Sequence, residues 1–550
     1  TSTNMNQQTK SIVVLLIFIL LISFTTAQKP NDYASLQLSQ SITGGLSIHR
    51  ESSSSSVTQV QATLNTVAQE SYRQELVSTN TFPSSETFEN NITFSWDNPH
   101  NNQLTFEVQS DILTYSSPQE IRSQIDFPVT DIPLSIEPYL SFSENIDSSP
   151  IIRDIAYDIA HNEDDLFVLE TKLAQWVHDH ITYNLTSMTE EVNQPASWVV
   201  KNGYGVCDEI TNLFIAMNRE LGIPARFVSG IAYSTAIDNL DNWGNHGWAE
   251  VFFPGVGWVP FDVTYNQLGF IDASHIELQK GVDGTSPSVM YQYRGRDISL
   301  TSQPLSFSTI IDRHGPLEKE RSRVQTTVVN KEVGLGSYNG LIATVKNPYD
   351  KYVVEEVTLH PTKELFSLEK KKTKLVVLKP FEQKEVSWIV KVPEDLNPSY
   401  KYTFPLVVSQ SFGNTVNITF EASSAHQVFS EEYLESIISQ EEVLKEEKSS
   451  IDMTCKVASS LILAQSNVTL MCSANNVSSE KYPLSVCYKN TCSSITEQSL
   501  KTELTITTKD PQVTTIPITI KDSDGKDIDK EFVTLSIIDK PRLELKNVSL

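Results

Sequence analysis

The chain has no basic excess. Lys and Arg number 42 against 68 Asp and Glu among 550 residues, a formal net charge of −26, so no cationic surplus is available to neutralise nucleic acid phosphates. Glycine is sparse at 20 residues, which excludes collagen-like repeats. Cysteine is sparser, with five residues. Long apolar runs are rarest. The only one, Ile12 to Ile22, lies near the N-terminus, so no later segment reads as a membrane-spanning helix. Core material is abundant: 39% of the residues are hydrophobic, with 23 Phe and 19 Tyr, too much for a disordered chain. At ~150 residues per domain, the length suggests three or four domains.

Lys10, the apolar run and the small residues Thr25-Thr26-Ala27 make residues 1–27 a secretory signal peptide. The run is too short to cross a bilayer, which takes ~20 residues. Export agrees with glycosylation sequons at Asn91, Asn184, Asn417, Asn467, Asn476 and Asn547. It also separates the cysteines. Cys455, Cys472, Cys487 and Cys492 form an even cluster, read as two disulfides with three possible connectivities. Zinc is the rival reading, but no CxxC pair is present. Cys487 and Cys492 flank the turn-like Tyr-Lys-Asn-Thr, and Cys455 and Cys472 fall on opposite arms of a second hairpin. The spacing therefore predicts 455–472 and 487–492. Cys207 is left as a free thiol in an oxidising compartment, and the expected location is secreted or cell-surface.

The pattern along the chain predicts a multidomain protein, an α+β core flanked by all-β, immunoglobulin-like sandwich domains. Residues 28–60 are rich in Ser, Thr and Gln and read as a linker. Residues 61–135 read as a β-rich region, with Ile92–Trp96 and Leu104–Val108 alternating. A core over 136–300 shows helical spacing at Ile151–Ile159, Leu166–Ile181 and Ile210–Leu221. Strand-like runs follow at Ala225–Tyr233, His246–Phe253 and Trp258–Val263. A β-sandwich over 320–428, an acidic helical linker over 429–450 and a disulfide-containing sandwich over 451–540 complete the order. In the last of these, Asp524-Gly525 marks a hairpin, and Pro517 suits an edge strand. Residues 541–550 read as the start of a further strand. The chain is therefore expected to continue past Leu550, and a missing C-terminal anchor would be its only tie to a membrane. The acidic groups Asp238/Asp241 and Asp522/Asp524/Asp527/Asp529 suggest calcium as an alternative, but the second lacks EF-hand spacing, and both read as solvated loops.

Around the lone cysteine the text is Asn202-Gly-Tyr-Gly-Val-Cys207-Asp-Glu-Ile. The glycines permit close backbone approach, and a helix starts at or beside Cys207. The exposed N–H groups of a helix start favour a thiolate. Asp208 and Glu209 oppose it, which leaves a nearby imidazole as the activating group. In His246-Gly-Trp-Ala-Glu-Val-Phe and Gly257-Trp-Val-Pro-Phe-Asp-Val-Thr, one parity is small or apolar and the other holds His246, Trp248, Trp258 and Asp262. A three-residue loop Phe253-Pro254-Gly255 with Gly255 at positive φ predicts His246 directly opposite Asp262. A nucleophile, an imidazole and an orienting carboxylate make a Cys–His–Asp system.

Gly203-x-Gly-x-Cys207, Gly222-Ile-Pro-Ala-Arg226, His246-x-Trp-x-Glu250 and Gly257-Trp-Val-Pro-Phe-Asp262-Val-Thr264 together resemble the transglutaminase-like superfamily of papain-like thiol enzymes. The resemblance covers roughly residues 136–300 and includes the helix end Trp176–Tyr183. It implies Cys207 as nucleophile, His246 as general base then acid, and Asp262 as orienting group; no cofactor or metal is expected. Tyr183 is a candidate second oxyanion donor beside the Cys207 N–H, and Trp248 and Trp258 are candidate walls of a substrate groove. The function these residues point to is cleavage of peptide or side-chain amide bonds through an acyl-enzyme, with protein or peptide substrates. Hydrolysis is favoured over cross-linking. The competing reading is a non-catalytic cell-surface binding or adhesion protein, which an intact triad argues against.

Overall fold

The structure, a computed structural model, describes residues 28–538 except 89, 131, 186–192, 235–241, 370, 414, 444–451, 458–461, 476–482, 490, 497–500, 509–511, 522, 524 and 526. The expected signal peptide, the 541–550 strand, both acidic loops in whole or part, and the sequons at Asn476 and Asn547 lie outside the described residues. No described helix is long and apolar enough to cross a membrane.

The core combines four helices with one five-stranded sheet. Helix α1 is Pro150–Ala160, α2 Leu166–His180, α3 Ala196–Asn202 and α4 Cys207–Glu220. Ser149 caps α1 by accepting from the Ile152 N–H, with Pro150 at the first helical position. Asp165 caps α2 by accepting from the N–H groups of Phe167 and Val168. Helix α3 escapes sequence reading because its seven residues are too few to display a period. Helix α4 is the central element, with Ile210 through Glu220 all buried.

The strands are β1 Ala225–Tyr233, β2 Trp243–Phe253, β3 Gly257–Asp262, β4 Gln267–Leu268 and β5 His275–Gly281, in sheet order β4-β3-β2-β1-β5. Ala249, Val251, Val259 and Phe261 face Leu213, Phe214 and Met217 in one apolar cluster with the helices. The two are tied at the N-terminal end of α4, where the Thr211 hydroxyl donates to the Gly247 carbonyl at 3.0 Å.

Two expectations about the flanks are corrected. Residues 28–60 are not a linker: Ser35–Arg50 is a sixteen-residue strand and Ser56–Leu64 another. Leu36, Leu38, Ile42, Leu46 and Ile48 are buried, and the Ser/Gln-rich composition belongs to the opposite, wetter face of a period-two pattern. Nor does the core own its C-terminal stretch up to residue 300. Strand Val289–Arg296 pairs with Ser56–Leu64, and Ile298–His314 pairs with Ser35–Arg50. These returning strands complete two four-stranded sheets with the N-terminal strands.

A second pair of sheets spans Arg323–Ala422 and encloses its own cluster around Trp388. The acidic stretch after it is helical over Glu431–Val443 and packs on strand Tyr338–Lys346, with Leu434 buried. A third pair spans Asp452–Ile538. In it Cys455 stands directly opposite Cys472, and Cys487 opposite Cys492, both joined as disulfides. These are the two pairs that the spacing predicts. The strand holding Pro517 is interior, between Asp527–Ile538 and Leu484–Tyr488, not an edge. Its second neighbour pairs only with Thr519–Lys521, so the missing N–H of Pro517 falls beyond that ladder.

Candidate active site

Cys207 is the first residue of α4, half-buried and the free thiol among the described cysteines. Its approach is built by a short parallel ladder that pairs Thr182 with Tyr204 and Tyr183 with Gly205. Gly203, at φ +75°, ends α3 and turns the chain into that ladder. Glu209 folds back to accept from the Val206 N–H at 3.0 Å and from the Gln194 N–H at 3.0 Å. The carboxylate that the sequence sets against a thiolate is thus spent on capping the helix. Asp208 stays beside the sulfur, with 3.6 Å between Sγ and Oδ1. Burial raises the Asp208 pKa, partly offset by that contact and by His246.

Strand β2 carries His246 and β3 carries Asp262. The hairpin loop is Pro254–Val256, one residue later than expected, with Gly255 at φ +77°. Phe253 pairs with Gly257 and Ala249 with Phe261, so the register is offset by two residues from the one predicted. Because side chains alternate with period two, the offset leaves His246 and Asp262 on the same face as diagonal neighbours. His246 Nε2 and Asp262 Oδ2 are 2.6 Å apart, both side chains buried.

The other carboxylate oxygen, Oδ1, accepts from the N–H groups of Thr264 and Tyr265 at 2.9 and 3.0 Å. Burial acts to raise the Asp262 pKa, but the His246 charge and hydrogen bond, joined by His275, hold it well below the carboxylate range. Burial acts to lower the His246 pKa, and the Asp262 charge and hydrogen bond, with a further contribution from Cys207, raise it to about 9. Tyr265 stacks on the His246 ring at 4.6 Å between centroids.

Tyr183 is 48% exposed, so it is not a packed core tyrosine. Burial of its inner part, then the nearby Cys207, Asp208 and Asp262, raise its pKa to about 12, which leaves the hydroxyl a donor at neutral pH. Trp248 does not wall a groove. Trp248 is fully buried in a cluster with Val228 and Ile271. On that face the His275 ring, carried by β5, meets the Trp248 ring edge-on at 5.5 Å. Trp258 lies toward the hairpin turn, under the Arg226 guanidinium at 4.1 Å and against Tyr139 and Phe252. Arg226 in turn is bonded to Glu250, a structural use of that motif.

The sequence reading missed His275 and Asp272. His275 Nε2 lies 3.3 Å from Asp262 Oδ2 and its Nδ1 lies 3.0 Å from Asp272 Oδ1. The signal was present in the alternation His275-Ile-Glu-Leu278, with Ile276 and Leu278 buried. Among the described residues, His246, Asp262 and His275 bring three ligating atoms within 4.8 Å of one another. The direct hydrogen bonds among those same atoms account for the cluster without an ion.

Residues 153–263 match the family model described as the transglutaminase-like superfamily. The helices and hairpin that bring Cys207, His246 and Asp262 together are therefore a transglutaminase-like core. An uncharacterised protein, YebA, of Bacillus subtilis is 28% identical over 126 residues, covering 20% of this chain and 17% of its own length. An uncharacterised protein of Haemophilus influenzae is 24% identical over 178 residues, covering 28% of this chain and 44% of its own length. The chain thus spans less than half the length of either relative. Among solved structures, a candidate cysteine protease from Cytophaga hutchinsonii is 16% identical, with a TM-score of 0.39 over 52% of this chain and 94% of that one. Red sea bream transglutaminase is 11% identical, with a TM-score of 0.18 over 88% of this chain and 92% of that one.

Proposed function

We propose that this chain is an exported thiol enzyme that opens peptide or side-chain amide bonds through an acyl-enzyme on Cys207. The observation that carries the reading is the 2.6 Å bond between His246 and a fully buried Asp262, set beside a thiol that heads a helix. Asp262 engages Nε2 of the ring, which leaves Nδ1 to take the thiol proton. The sulfur then attacks the carbonyl carbon. The negative charge moves to the carbonyl oxygen, which accepts from the Cys207 N–H and the Tyr183 hydroxyl in this reading. His246 returns its proton to the departing amine as the C–N bond breaks. Water, or an amine, then attacks the thioester, giving up a proton to His246, and the thiol is regenerated. Hydrolysis is the favoured outcome, with protein or peptide substrates. The two disulfides suit an oxidising, extracytoplasmic compartment.

The test is labelling of the full chain with a thiol-directed peptide electrophile. The expected result is one adduct, on Cys207, lost in Cys207→Ala and slowed roughly 10²–10⁴-fold in His246→Ala. Equal labelling of the His246→Ala protein would overturn the assignment of base and nucleophile.

A further inference from the structure

Both ring nitrogens of His275 face carboxylates, Nδ1 toward Asp272 and Nε2 toward Asp262. A neutral imidazole has one lone pair, which here would point at a carboxylate oxygen. Both carboxylates are already surrounded by donors. Asp272 Oδ1 accepts from the Ser274 N–H at 2.8 Å and hydroxyl at 2.6 Å, and Oδ2 accepts from the Gln267 amide at 2.5 Å. Asp262 accepts from two backbone N–H groups and from His246. Carboxylates so surrounded are ionised, and a ring between two of them carries both protons.

We propose that His275 is a positioning residue for the active-site pair: an imidazole doubly protonated at neutral pH that shares one oxygen of Asp262 with His246, fixes that carboxylate and weakens its hold on the His246 proton. The proposal deepens the reading of Cys207, His246 and Asp262 as a catalytic system and rests on it. A buried carboxylate facing one imidazole alone would retain the proton that the ring must release to a leaving amine. A second cation on the same oxygen divides that attraction. The rings of His246 and His275 are 5.6 Å apart between centroids, close enough for one charge to act on the other.

The charged and titratable groups around His275 are consistent with this role. From β3 and the turn after it come Asp262 and Tyr265, the latter edge-on at 5.5 Å. From β2 comes His246. Its own segment supplies Asp272, with Glu277 two residues on. From the N-terminal sheets, Arg73 donates to the carbonyls of Asp272 and His275 at 2.8 and 3.0 Å and pairs with Glu277. Arg321 adds positive charge on the Asp272 side. Burial acts against protonation of His275, and the Asp272 charge with the two hydrogen bonds raises its pKa to about 9, the same direction as the geometry.

The experiment is histidine-selective 15N NMR on the full chain, with the pH profile of turnover as a second readout. In the unmodified protein both His275 nitrogens are expected to be protonated at pH 7. One unprotonated nitrogen there overturns the proposal with no variant needed. His275→Gln keeps a donor for Asp262 and removes the charge. The His246 titration is expected to move up by about one pH unit, and the alkaline limb of turnover with it. Asp272→Asn is expected to move it in the same direction by less. Folded variants whose His246 titration is unmoved would make His275 merely structural and overturn the proposal. The NMR titration does not depend on turnover, so it stands apart from the labelling of Cys207. Absence of labelling defeats the enzyme reading, while an unmoved titration defeats only the role of His275.

Discussion

Tyr183 is half exposed, yet its backbone is locked to Gly205, two residues before the thiol. A side chain anchored at its base and half open to solvent suits a donor that meets substrate. Tyr183→Phe is expected to leave the melting temperature unchanged and to lower kcat roughly 10²-fold with KM little altered, as for loss of an oxyanion donor. Steady-state kinetics on a peptide amide would check this, and a change confined to KM would assign Tyr183 to binding instead. Asp262 is the opposite kind of residue, buried with four hydrogen bonds to its two oxygens. Asp262→Asn leaves two histidines facing an amide. It is expected to lower the folded-state pKa of His246 and to slow acylation by roughly 10²–10⁴-fold, measured by electrophile labelling across pH.

At the scale of elements, the hairpin β2–β3 and helix α4 decide whether the site assembles. The sequence disclosed the hairpin and its two faces through alternation, and the thiol at a helix start through Gly203 and Gly205. It misplaced the loop by one residue, because Phe253-Pro-Gly and Pro-Gly-Val both fit a three-residue turn around Gly255. The two-residue shift in pairing preserved the face, which is why the pairing partner was wrong while the neighbourhood of His246 and Asp262 was right. What hides from sequence is how that face is filled: Trp248 packs against Val228, Ile271 and the His275 ring, and nothing in the local pattern of β2 announces residues 271 and 275.

Gly247 marks how closely α4 and β2 approach. A Cβ there would lie 2.4 Å from the Phe227 ring and 2.6 Å from Asp208 Oδ1. Gly247→Ala is expected to cost about 1–3 kcal/mol of stability and to slow labelling of Cys207 by displacing the first turn of the helix. Denaturant unfolding with parallel labelling would show both, and a variant as stable as the parent would contradict the packing described. In the third sheet pair, the Cys455–Cys472 bridge closes a loop of sixteen intervening residues, worth roughly 3 kcal/mol in the chain-entropy account. Mild reduction is therefore expected to expose residues 452–538 to protease before residues 150–281, as read by peptide mapping.

At the scale of the whole molecule, stability depends on pH through buried groups of both kinds. His246 and His275 have folded pKa values raised to about 9, so their contribution is fully present below the unfolded value near ~6.5 and is lost as pH rises through 9. Glu170 of α2 is fully buried, and burial raises its pKa well above the carboxylate range, with Asn218 offsetting part. Its contribution likewise drains away as pH climbs from the unfolded value near ~4.3. Asp262 and Asp272 are depressed, Asp272 to about 2. What they add is present above the unfolded value near ~3.9 and lost as pH falls through the folded values. The expected profile is a melting temperature highest between about pH 4 and 6.5 and falling on both sides, with Glu170→Gln flattening the alkaline decline. A melting temperature still rising from pH 7 to 9 would refute this assignment.

The pairing of Ser35–Arg50 with Ile298–His314 also sets an order of events during synthesis. When the ribosome has delivered residues 35–115, each N-terminal sheet is one strand short, and each missing strand lies on the far side of the core in sequence, at 289–314. Until those residues emerge, the polar faces of Ser35–Arg50 and Ser56–Leu64 end in unpaired backbone edges, open to pairing with other chains. Folding from the N-terminus, the usual course for a multidomain chain, therefore stalls here. The thiol core is an insertion that must be synthesised before these two sheets can close, and a chaperone holding residues 35–115 open would assist both at once.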